Sequence, residues 1–157
     1  MAGSAISIAD KIVTAVSSKV DYSNSMSPSV TRKLAPNTDA KSSKDVSSLM
    51  VMVTPVGFTV DILSSGEIIE DYSVRVSVRD RIENVDNSDD IDETEISKRL
   101  VFVGEMQAQV ITYADDETND LTIITPFENS PLYDSESLEG GIFYSLTQFT
   151  VRNYKEV

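Results

Sequence analysis

Any chemistry in this chain would have to come from carboxylates, hydroxyls and amines. Its 157 residues hold 26 Asp and Glu and 13 Lys and Arg, but no His, Cys or Trp. Without imidazole there is no Ser-His-Asp triad, no Cys-His pair and no histidine metal site. Without thiolate there is no zinc knuckle, sulfur nucleophile or disulfide framework. A carboxylate hydrolase survives on inventory, but no aromatic platform flanks any acidic pair. The stretch 83–95 carries seven acids and no base. Counted from Asp86 it mimics a calcium loop, yet the sixth position is Ile91 where the turn needs Gly, and the twelfth is Ser97 where a bidentate Glu is needed. No glycine loop for phosphate is present, and Gly140-Gly141 reads as a turn before a last strand. The expectation is a protein without catalytic residues, metal or cofactor.

The remaining unusual content is charge. Arg75, Arg79 and Arg81 fall on one side of an alternating strand, whose other side is Tyr72, Val74, Val76, Val78 and Ile82. Only Asp80 breaks the apolar side. The arginines form either a solvated face or an ion-pair surface between subunits. Acids at Asp86, Asp89, Asp90 and Asp92, and again at Asp115 and Asp116, belong to two acidic loops, 83–93 and 114–120. Basic and acidic surfaces on one chain complement each other in sign, which favours head-to-tail assembly.

These residues need elements to position them. Ile8, Ala9, Ile12, Val13, Val16 and Val20 recur at helical spacing and predict a helix over 6–18. Residues 21–47 are rich in Ser, Asn and Pro and read as a variable linker, with a short extended piece at 30–35. The run Leu49–Met50–Val51–Met52–Val53 reads as a buried strand stopped by Thr54-Pro55; Phe58, Val60 and Ile62 resume strand-like alternation. Ser64-Ser65-Gly66 is a turn leading into the arginine-bearing strand, so the two strands form a hairpin. A second helix is expected over 92–113, with Asp92 as N-cap and Glu95 completing a capping-box-like pair. A short strand at 121–125, an irregular stretch 126–141 and a closing aromatic strand to about Tyr154 follow. The order predicts an α+β fold: one domain over 1–157, a mostly antiparallel sheet with two helices on one face.

Length suits a single domain that buries roughly 70% of its unfolded surface. A net charge of −13 argues against gripping nucleic acid or anionic membranes, since both need bases. No apolar run approaches the roughly 20 residues that span a bilayer. The first basic residue, Lys11, lies inside the apolar pattern, so no signal peptide is expected.

The arrangement resembles the tail-terminator proteins in the neck of long-tailed bacteriophages. The N-terminal helix and linker come first. Lys33-Leu34-Ala35-Pro36 and Asp45-Val46-Ser47-Ser48-Leu49 lead into Val51-Met52-Val53-Thr54-Pro55, similar to that family's acidic-Leu turn and strand ending in Pro. Glu70-Asp71-Tyr72-Ser73-Val74-Arg75-Val76 is similar to its polar-Tyr-x-Val strand. Ser130-Pro131-Leu132-Tyr133-Asp134 through Gln148-Phe149-Thr150-Val151-Arg152-Asn153-Tyr154 resembles its closing loop and aromatic strand. The likeness covers about 130 residues at the level of pattern; the acidic insertions depart from it. It implies a homo-oligomeric part: a hexameric ring in the virion neck that ends the tail tube, contacts the tail-tube protein, docks the head connector or stopper, and lets DNA pass unbound. It implies further that Arg75, Arg79 and Arg81 meet a neighbour's acids while the acidic loops face the lumen or ring edge. Another head–tail joining or minor tail protein, or a non-viral soluble binding module, are the alternative readings.

Overall fold

The computed structural model describes residues 3–34, 48–82 and 93–156. In chain order the elements are α1 (Gly3–Ser17), β1 (Ser29–Arg32), β2 (Met50–Ile62), β3 (Glu67–Arg81), α2 (Glu93–Asp115), β4 (Thr122–Ile123), β5 (Glu128–Asn129), α3 (Ser135–Glu139) and β6 (Ile142–Glu156). Single 3-10 turns lie at Ser23–Ser25 and Glu117–Asn119. The sheet runs β1-β2-β3-β6-β4, with β5 also on β6. All pairings are antiparallel except β1 with β2. The fold is α+β, as the element order predicts.

Period-two patterning places the core. Val51 and Val53 of β2, Tyr72, Val74, Val76 and Val78 of β3, and Phe143, Phe149 and Val151 of β6 share one sheet face. Ile8, Ala9, Ile12, Ala15 and Val16 of α1 and Phe102, Val103, Met106 and Val110 of α2 close over that face. Tyr22 joins them, its ring edge-on to Phe102 at 4.9 Å and its hydroxyl donating to the Val16 carbonyl at 2.7 Å. Burial, with the Glu105 charge adding to it, pushes the Tyr22 phenol up to about 12.

Asp80, the acid at the far end of the apolar side of β3, is answered from α2. Arg99 Nε donates to Asp80 Oδ2 at 3.0 Å, and both side chains are almost fully buried. The same guanidinium reaches Glu95 Oε2 at 2.8 Å and the Arg81 carbonyl at 3.3 Å. This network pins the first turns of α2 to the end of β3. Burial raises the Asp80 carboxyl above its usual value, partly offset by Arg99.

Three expectations need correction. Pro55 does not end a strand: β2 continues through a bulge between Pro55 and Gly57 and runs for 13 residues. Thr54-Pro55 reads as a stop because Pro cannot donate a ladder hydrogen bond, but an edge position makes no such demand. The stretch 126–141 is not irregular throughout, since it holds β5 and α3. The second acidic loop is shorter than expected: Ala114 and Asp115 still belong to α2. Asp92, expected as N-cap, lies outside the described residues, and Glu95 spends its carboxylate on Lys98 and Arg99.

Candidate interaction surface

The hairpin of β2 and β3 outgrows the core. The burial of β2 changes along its length: Val51–Thr54 are buried, whereas Phe58, Val60 and Ile62 are 55%, 52% and 69% exposed. With the first half of β3 and the end of β6, this forms a three-stranded arm. Gly66, at φ 87°, makes its turn, a conformation that costs a side-chain-bearing residue about 1–2 kcal/mol.

Two ion pairs stiffen the arm by tying β3 to β6, one on each face. Glu70, buried, accepts from Lys155 at 2.9 Å, from Tyr72 Oη at 3.2 Å and from Asn153 Nδ2 at 3.2 Å. Asp71 takes a two-pronged contact from Arg152 at 2.9 and 3.0 Å. Lys155 holds the Glu70 carboxyl below its usual value, and Arg152 does the same for Asp71.

Among the described residues, the outer side of β2 is open over most of its length. β1 pairs with Met50–Val53, and no other described strand lies on that side. Hydrogen-bond parity shows which backbone groups face out. Leu63 N donates to Glu67 O across the turn, so positions 61 and 59 also bond inward to β3. Phe58, Val60 and Ile62 therefore direct their N–H and C=O groups to the open side. At the proximal end the Val53 carbonyl faces out and accepts from Lys33 N at 2.9 Å. The next outward position is Pro55, which has no N–H to offer, and β1 goes no further. Beside this edge lies an open pocket of about 560 Å³ lined by Ala5, Pro55, Val56, Gly57, Phe58, Glu70 and Tyr72. Phe58 and Tyr72 stack at 5.0 Å along its wall.

The three arginines share the opposite sheet face but not one environment. Arg75 is exposed and donates to Gln148 at 3.1 Å. Arg81 is exposed as well. Arg79 is only 1% exposed, flanked in register by Met50 and Tyr144, and so offers no solvated charge. The fields of Arg79, Arg75 and Asp134 all act on the Tyr144 phenol, which burial raises above its usual value. Asp86, Asp89, Asp90 and Asp92 lie outside the described residues. Asp115 is exposed at the end of α2. Asp116 caps the following turn, accepting from Thr118 N and Oγ1, which lowers its pKa. Among the described residues, Asp115 and Asp116 and the three arginines are thus not gathered into one site.

Sequence reasoning registered the alternation of Phe58, Val60 and Ile62 without assigning it to a surface, because such alternation normally marks a covered face. The available signal was Pro55, which demotes a strand to an edge.

Among the described residues no helix is long and apolar enough to cross a membrane. No protein-family model matches the chain, and no curated protein matches it.

Proposed function

We propose that this chain is a structural protein of the virion neck, a tail terminator that assembles as a homo-oligomeric ring, ends the tail tube and presents a docking surface to the head connector, with DNA passing through the lumen. The reading draws on the sequence resemblance. The observation that carries it here is the arm, a rigid projection whose apolar stripe and backbone edge face solvent in the single chain. Such surfaces commonly mark contacts between proteins. Among the described residues, the two buried carboxylates, Glu70 and Asp80, are both engaged by cations and serve to join elements. Mechanism in this reading means capping and docking.

Exposed Arg75 and Arg81 are the positions from which a neighbour's acids would be met, and the ring's inner surface would carry net negative charge that repels phosphate. Size-exclusion chromatography with light scattering and negative-stain imaging test this. Closed rings are expected. A strict monomer at high concentration favours a monomeric binding module instead, the reading for which the pocket beside Phe58 speaks.

A further inference from the structure

We infer that the open edge of β2 receives β1 of a second copy, in a two-fold contact where each subunit lends β1 to the other. This goes beyond the ring and stands without it, because a two-fold contact closes at two subunits.

The shape of the sheet edge argues for it. β1 adds one strand, about 4.8 Å of width, along Met50–Val53 and then ends. Beyond it the edge steps back over residues 54–62. A copy turned by 180° about an axis normal to the sheet drops its own β1 into this step, antiparallel to β2. The same rotation seats the first copy's β1 in the second copy's step. The recess spans about 30 Å and β1 about 13 Å at roughly 3.3 Å per residue, so the strand fits with room. The outward N–H and C=O groups of Phe58 and Val60 gain partners, and their side chains gain cover from Val30. The far end of the recess is already closed: Asp61 Oδ1 accepts from Ile62 N at 2.9 Å.

With Val30 of one copy against Val60 of the other, antiparallel register sets Arg32 beside Phe58, Lys33 beside Gly57 and Ser29 beside Asp61, so backbone pairing and apolar cover carry the contact.

Amide exchange of Phe58 and Val60, followed by NMR on the full chain at low and high concentration, tests the contact. Protection that grows with concentration and vanishes in Val60→Lys is expected. The chain has no native cysteine, so Leu34→Cys, beside the axis, should give disulfide dimers and no larger ladder. Val60→Pro removes only an outward N–H and should act like Val60→Lys. Fast exchange at every concentration overturns the contact. So does protection independent of concentration, which means the chain covers its own edge. A dimer that survives Val60→Lys, or that yields no Leu34→Cys disulfide, overturns it equally. Rings that persist in Val60→Lys sink this contact while leaving the ring reading intact.

Discussion

Asp80 and Arg99 are each misplaced by pattern alone, an acid on an apolar strand side and a base on the buried side of a helix. Together they form a desolvated pair, and removing one partner strands the other. Asp80→Asn is therefore expected to cost about 3 kcal/mol in chemical denaturation. Replacing the pair by Asp80→Leu with Arg99→Met should recover most of that loss, since an apolar pair of similar volume has no desolvation cost. Arg79 is a related case. Its burial means that Arg79→Glu acts on folding and lowers Tm, whereas Arg75→Glu leaves Tm nearly unchanged. The acids also set a pH dependence. Glu70, Asp71 and Glu95 are held below their usual values by Lys155, Arg152 and Arg99 respectively. They contribute stability above the unfolded values of 4.5, 3.8 and 4.5, and that stability is lost as pH falls through and below this range. Asp80, raised by burial, works in the opposite direction: its charged form is penalised in the fold, so its share improves as pH falls. Glu70, Asp71, Glu95 and Asp116 are lowered and, of these acids, Asp80 alone is raised, so denaturation midpoints should drop between pH 5 and 3 (roughly the carboxylate range). Glu70→Gln should flatten the slope.

At the scale of elements, the hairpin turn and the long helix are separable tests. Gly66→Ala forces a side chain into φ 87° and should cost about 1 kcal/mol without altering the sheet. Phe102→Ala, in the core under α2, should cost about 3–5 kcal/mol. Both helices were legible because apolar residues at i, i+3 and i+4 face a sheet, and β3 was legible because Tyr72, Val74, Val76 and Val78 alternate with polar residues. The passage through Pro55 was not legible. Only the sheet order shows that Pro55 faces an open edge where a missing N–H does no harm. Arg79 was misjudged for a similar reason. Alternation assigns a residue to a face, while burial depends on what else reaches that face. The small elements β5 and α3 carry too few residues for periodicity to register.

For the whole molecule, the distribution of charge along β3 matters more than its sum. Glu67, Glu70 and Asp71 occupy the arm end, and Arg75, Arg79 and Arg81 the other. Glu67 and Arg75 are eight residues apart, about 26 Å at roughly 3.3 Å per residue. That exceeds the Debye length of about 10 Å at 0.1 M salt, so the two ends scarcely neutralise each other within one chain. Between copies they can meet, which gives the ring reading its electrostatic basis. Arg75→Glu should weaken assembly and shallow its salt dependence. The central claim, that the chain works by fitting its own copies together, is tested most directly by light scattering on the purified protein across a concentration series, wild type beside Arg75→Glu. A closed oligomer of defined mass, weakened by the charge reversal, is the predicted result. A monomer of 17.2 kDa at every concentration would contradict it.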